Sequence, residues 1–201
     1  MHTVGYLLRT ADMGLAYSKC SDDDFSLRAY VDSTWGSDRD TRRSRSGLAL
    51  FLGNCLIEWT SAKQTLVSTS STEAEYYALS SMAKSVLFTR QVLAQIGLRQ
   101  QTTVVYGDNQ GANFLSANAQ LNSKTKHIGI HWHHVRQLAV TGQIRVTYIP
   151  TAKNLADMFT KPLPWAKLLD AVLVSMHVPA RLLQRPSARK ATAAALFCLK
   201  I

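Results

Sequence analysis

Four acidic residues of this chain, Asp32, Glu75, Asp108 and Asp157, have neighbours that suit metal-ion chemistry. Asp32 lies in the second half of an alternating apolar run, and Asp108 ends the apolar run Val104-Val105-Tyr106. Glu75 and Asp157 fall in the first turns of predicted helices. Carboxylates brought together repel one another, and their pKa values rise unless a cation sits among them. Hard oxygen donors favour Mg²⁺, with Mn²⁺ as a substitute. Two such ions about 3.5–4 Å apart activate a water and stabilise the leaving oxygen of a phosphodiester. Each acid also has a local reading. Ser70 with Glu73 and Thr72 with Glu75 both have capping-box spacing, Asp108 and Asp157 suit helix caps, and Asp32 suits the surface beside a turn. Only the set, in its order of elements, is specific.

The elements that must position these acids follow from periodicity and punctuation. Residues 1–17 read as a short helix ending near Gly14. Residues 25–35 alternate as a strand, and 37–46 form a basic loop with Arg39, Arg42, Arg43 and Arg45. Residues 47–52 and 55–60 are two further strands joined by the turn residues Gly53-Asn54. The longest helix opens in Ser68-Thr-Ser-Ser-Thr-Glu-Ala-Glu and keeps Tyr76, Leu79, Ala83, Val86, Leu87 and Leu93 at helical spacing until Gly97 stops it. Residues 102–108 form a fourth strand, and Asn109 caps a helix running through Ala112, Phe114 and Leu115. Residues 124–141 are helical in their second half, and Gly142 ends them. A fifth strand, 144–149, stops at Pro150, a helix starts near Asn154, and 165–176 is an amphipathic closing helix. Strands separated by a helix pair in parallel through right-handed crossovers. The predicted fold is therefore α/β: a five-stranded mixed sheet, three antiparallel strands and then two parallel ones, with helices on both faces. In such sheets strand C-ends and the helix N-termini after them gather on one edge, where the acids would meet.

Composition narrows the partners. Of 201 residues, 46% are hydrophobic and 18% charged, a globular balance. The formal net charge of +10 points to an anionic partner such as nucleic acid. Three cysteines, Cys20, Cys55 and Cys198, have neither disulfide nor zinc spacing. No stretch approaches the roughly 20 apolar residues that cross a bilayer, and no secretory signal opens the chain. An intracellular, cytoplasmic protein that is not secreted is expected. Beyond Val178 the composition changes to a basic, proline-containing and then alanine-rich tail, which we read as unrelated readthrough; its basic residues otherwise suit nucleic-acid binding or a nuclear address.

Several blocks closely resemble the ribonuclease H region of copia-type retrotransposon polyproteins: Asp32-Ser-Thr-Trp-Gly, Arg43-Ser-Arg-Ser-Gly, Trp59-Thr-Ser-Ala-Lys-Gln and Ser70-Ser-Thr-Glu-Ala-Glu-Tyr. The resemblance continues through Gly107-Asp-Asn-Gln-Gly-Ala, Lys124-Thr-Lys-His-Ile, Tyr148-Ile-Pro-Thr and Ala156-Asp-Met-Phe-Thr-Lys-Pro-Leu. It covers about residues 5–178. It implies a ribonuclease H-like domain over 25–178, the end of a reverse transcriptase region over 1–24, and an unrelated tail over 179–201. It further implies a two-metal endonuclease that hydrolyses the RNA strand of an RNA–DNA hybrid during reverse transcription. The family's four catalytic acids fall on Asp32, Glu75, Asp108 and Asp157: Asp32 and Asp108 touch the metals most directly, Glu75 helps to position a metal or the 2′-hydroxyl, and Asp157 holds the second ion. Hybrid backbone contacts are expected from Arg42, Arg43, Lys63 and Lys126, and polymerase and integrase would be partners in the parent polyprotein. The alternative is a catalytically silent fragment, or a host-adopted nucleic-acid-binding module.

The chain departs from the family pattern in places. Thr34 stands where a second aspartate is common, and Gly129, His131 and His134 replace the usual residues after His127. His127, His131, His133 and His134 resemble a metal cluster but have no carboxylate or cysteine among them, so drift is the preferred reading. No histidine occurs in 151–154, where cellular ribonucleases H carry one. Trp35, Trp59 and Trp132 are expected in the core, and Cys55 as a small buried hydrophobe.

Overall fold

A computed structural model describes residues 25–111, 129–164, 167–168 and 171–172, with five isolated positions ahead of them, Val4, Ala11, Gly14, Leu15 and Tyr17. The helix expected in residues 1–17, most of the one after Asn109, Lys126, His127, the Trp132 side chain, Cys20, Cys198 and the tail lie outside the described residues. The strands are β1 (Leu27–Thr34), β2 (Arg45–Leu52), β3 (Cys55–Lys63), β4 (Thr103–Gly107) and β5 (Ile144–Tyr148). The helices are α1 (Ser71–Gln95) and α2 (Gly129–Val140), and two 3-10 turns follow β5 at Thr151–Lys153 and Leu155–Phe159.

The five strands form one sheet in the order β3-β2-β1-β4-β5. β1 pairs antiparallel with β2, and β2 with β3 through a bulge between Leu50 and Phe51. β1 pairs parallel with β4, and β4 with β5. This is the mixed sheet expected from the element order. Alternation along β1 sends Leu27, Ala29 and Val31 to one face, where they pack with Leu48, Leu50 and the α1 residues Tyr76, Leu79 and Val86. Val135 and Leu138 of α2 join the same cluster. On the opposite face, Ala49, Phe51 and Leu56 meet Leu155 and Phe159 of the second 3-10 turn. Lys167, Leu168, Ala171 and Val172, the described part of the closing segment, are helical, and the last three pack with Met158 and Leu163.

Helix α1 is capped at both ends by its own sequence. Ser70 Oγ accepts the Glu73 N–H at 3.1 Å, and the Glu73 carboxylate turns back to accept the Thr69 N–H at 2.6 Å. At the other end Gly97 takes φ +87°, and the Leu98 and Gly97 N–H groups donate to Leu93 O and Ala94 O. That double closure with a left-handed glycine is a Schellman motif. Ser70→Ala is expected to lower stability by about 1 kcal/mol, read as a shifted urea midpoint, because the Glu73 N–H then has no partner.

The helix expected near Asn154 forms as a short 3-10 turn, with Asn154 at its N-cap and Asp157 in its first turn. Two local expectations need correction. Trp35 is 57% exposed, its indole N–H donating to Ser68 O at 2.9 Å, so it clips the β1–β2 loop to the approach of α1 instead of filling the core. Cys55 opens β3 half-buried. Among the described residues no helix is long and apolar enough to cross a membrane.

Candidate metal centre and its surroundings

Parallel pairing puts Val31 opposite Gly107, so Asp32 and Asp108 follow side by side where the β1–β4 pairing ends. Glu75 reaches the same place from the second turn of α1. Its Oε1 accepts the Ser33 N–H at 3.3 Å, whereas Glu73, two residues earlier, is committed to the cap. Helix phase therefore separates two glutamates that both have capping spacing. One carboxylate oxygen from each of Asp32, Glu75 and Asp108 lies within 4.8 Å of the others.

This convergence is electrostatically unfavourable without a cation. Burial, with the charges of Asp32 and Asp108, pushes the Glu75 carboxyl up to about 8. Asp32, 1% exposed, is raised to about 6, chiefly by burial, although the Thr160 hydroxyl and the Lys161 ammonium pull it down. A divalent ion would supply the missing positive charge: three hard oxygen donors, two of them from buried residues, lie within 4.8 Å of one another. The donor set fits Mg²⁺ or Mn²⁺.

Asp157 is placed differently. It is fully buried within the second 3-10 turn, and both of its oxygens meet ammonium groups: Lys161 Nζ lies 2.8 Å from Oδ1, and Lys167 binds Oδ2. Lys161 also stands 3.5 Å from Asp32 Oδ2. Thr160 donates its hydroxyl to that same Asp32 oxygen. Asp157 therefore neighbours Asp32 through Lys161 and Thr160, outside the three-carboxylate cluster.

Two features hold this turn against β1. Asn154 Nδ2 donates to Val31 O at 2.9 Å, while its Oδ1 accepts the Ala156 N–H at 3.1 Å. Gly47, paired with Asp32 across β1 and β2, provides the room. A Cβ there would stand 2.6 Å from Thr160 Cγ2 and 2.7 Å from Ala156 O.

The basic loop forms the adjoining wall. Arg39, Arg43, Arg45, Lys63 and Thr160 line one open cavity, which Thr160 joins to the acid cluster. Lys63 is paired with Asp38, whose carboxyl is held well below the usual range by that ammonium and by Thr41. Arg42 sits beyond this lining, at the turn's left-handed position with φ +55°. His131 faces α1, its Nδ1 2.9 Å from Ser80 Oγ and its ring edge-on to Tyr77. Among the described residues the histidines join no metal-capable group.

Asn154, Thr160, Lys161 and Lys167 escaped the sequence reading. For Lys161 the signal was present: Asp157 and Lys161 are spaced i,i+4 inside a block already singled out. For Asn154 and Thr160 no signal exists short of the fold, since their partners are 123 and 128 residues away.

No family model matches the chain. It is 38% identical over 159 residues, 79% of its length, to the retrovirus-related Pol polyprotein from transposon RE1 of Arabidopsis thaliana. It is 37% identical over 152 residues, 75% of its length, to that from transposon TNT 1-94 of Nicotiana tabacum. The chain spans about 11% of the length of each of these relatives. A ribonuclease H1 isolated from compost by a metagenomic approach superposes with a TM-score of 0.50 at 17% identity, covering 74% of this chain and 99% of that one. The chain is thus a homologue of a segment of the Pol polyproteins of retrovirus-related transposons, and its fold is that of ribonuclease H.

Proposed function

We propose that this domain is a retrotransposon ribonuclease H, which hydrolyses the RNA strand of RNA–DNA hybrids with the help of divalent metal ions. The observation that carries the reading is the meeting of Asp32, Glu75 and Asp108 within 4.8 Å, where the central β1–β4 pairing of a ribonuclease H fold ends. We assign the domain to residues 25–178, with 1–24 belonging to a preceding reverse transcriptase region and 179–201 unrelated.

Asp32, Glu75 and Asp108 would hold Mg²⁺, which supplies an activated water and neutralises charge on the phosphate being cleaved. The protein's own part is to fix these three acids. β1 and β4 hold the aspartates side by side where their parallel pairing ends, and the Ser33 N–H orients Glu75. Arg43 and Lys63, in the cavity wall, are suited to the phosphates flanking the cleaved bond, with Arg42 and Lys126 as further backbone contacts. Asp157 lies 2.8 Å from Lys161, and its role with a second ion depends on that lysine. A polyprotein with polymerase and integrase is the natural setting for this activity.

The test is incubation of the full chain with a labelled RNA–DNA hybrid in Mg²⁺, beside Asp32→Asn and Asp108→Asn. Cleavage of the RNA strand by the wild type, lost in both variants, is expected. Hybrid binding without cleavage, equal in all three proteins, would refute the nuclease and leave a nucleic-acid-binding module.

A further inference from the structure

Lys161 occupies a position that the acid cluster alone does not explain. Its ammonium bridges the two buried aspartates, 2.8 Å from Asp157 Oδ1 and 3.5 Å from Asp32 Oδ2. Its backbone is fixed as well, because its N–H donates to Asp157 O at 3.2 Å, and Thr160, one residue earlier, is tied to Asp32 through its hydroxyl. Neutralising Asp157 does not require this arrangement, since Lys167 already binds the other oxygen and is itself anchored by donating to Thr151 O at 2.8 Å. A divalent ion shared by Asp32 and Asp157 would need the oxygens Lys161 now faces, and two cations cannot share them at ligand distance.

We infer that Lys161 is the resident cation of the Asp32–Asp157 side, taking the place of a second divalent ion in the free domain. The inference rests on the metal-dependent reading above. The free domain then takes up one divalent ion, at Asp32, Glu75 and Asp108. A second is admitted only when the ammonium withdraws, and the side chain, 35% exposed, has an open path to solvent. Lys161 is in this sense a positioning residue that sets how many ions the centre holds.

The experiment is Mn²⁺ titration of the full chain without nucleic acid, followed by calorimetry and by the electron paramagnetic resonance signal of free Mn²⁺. The wild type and Lys161→Arg are expected to bind one ion per chain, and Lys161→Met two. Lys161→Gln serves the same purpose if the methionine variant fails to fold, as judged by its melting transition. A purely structural ion pair would leave the stoichiometry of the neutral variants at one, which overturns the inference. Uptake of two ions of similar affinity by the wild type also overturns it and leaves the metal-dependent reading intact. No uptake by any of the proteins removes both.

Discussion

Glu75→Gln is expected to make the metal-free domain more stable at pH 8 while lowering hybrid cleavage about 10³-fold, as loss of several kcal/mol of metal-assisted catalysis would. Glu75 has its carboxyl raised from 4.5 to about 8, first by burial and then by the charges of Asp32 and Asp108. Between those values the folded state binds more protons than the unfolded chain, so stability falls as pH rises through the window and levels off above it. The penalty at pH 8 is on the order of 4 kcal/mol, less whatever the site relaxes. Glutamine keeps the acceptor for the Ser33 N–H and adds a donor facing the two aspartates, without titrating. Melting curves in chelator at pH 5 and pH 8 check this directly. The wild type should lose stability between them, and the variant should lose less. Adding Mg²⁺ should restore the wild type by mass action and do much less for the variant. A variant destabilised at both pH values would show that Glu75 is a structural acid.

Gly47→Ala is expected to destabilise the domain by about 1–3 kcal/mol and to abolish cleavage with it. Replacing glycine in a strand ordinarily stabilises by about 0.4–1 kcal/mol through the unfolded chain, so the sign of the change is itself informative. Here the added methyl would meet Thr160 Cγ2 at 2.6 Å and Ala156 O at 2.7 Å. The turn that carries Asp157 and Lys161 must then lift away from β1, drawing the Thr160 hydroxyl from Asp32. Thr160→Ser in the Gly47→Ala background removes the closer of the two obstructions and keeps the hydroxyl. It should recover part of the stability, but not all of it, because the Ala156 carbonyl remains. Urea denaturation of the single and double variants measures that coupling.

The sheet, its strand order and the long helix were legible because each has a local cause: alternation in residues 27–34, Gly53-Asn54 between two apolar runs, a serine cap and a stopping glycine. Four acids were expected to meet as one set; the structure brings Asp32, Glu75 and Asp108 together and pairs Asp157 with Lys161 and Lys167 instead. What spacing alone left open was which glutamate caps and which faces the sheet. The answer came from the β1 backbone, which presents the Ser33 N–H to Glu75. Trp35 was misjudged because an indole N–H that finds a carbonyl partner can remain at the surface. The 3-10 character of residues 155–159 was hidden because Leu155, Met158 and Phe159 have a spacing compatible with either helix. The role of Lys161 was missed because its two partners lie on different elements, one local and one across the sheet.

The tethering of the second 3-10 turn to β1 also has a kinetic meaning. The Asn154–Val31 and Thr160–Asp32 bonds close loops of 123 and 128 residues, whereas the β1–β2–β3 meander closes between near neighbours in sequence. Long closures carry the larger entropic cost and are made late. During synthesis the meander and α1 can dock while the chain beyond them is still being made, but the Asp32–Asp157 side cannot exist until residue 160 has left the ribosome. A nascent chain can therefore carry the meander and α1 before it carries the Asp32–Asp157 side, which is completed only when the tether residues Asn154 and Thr160 are in place.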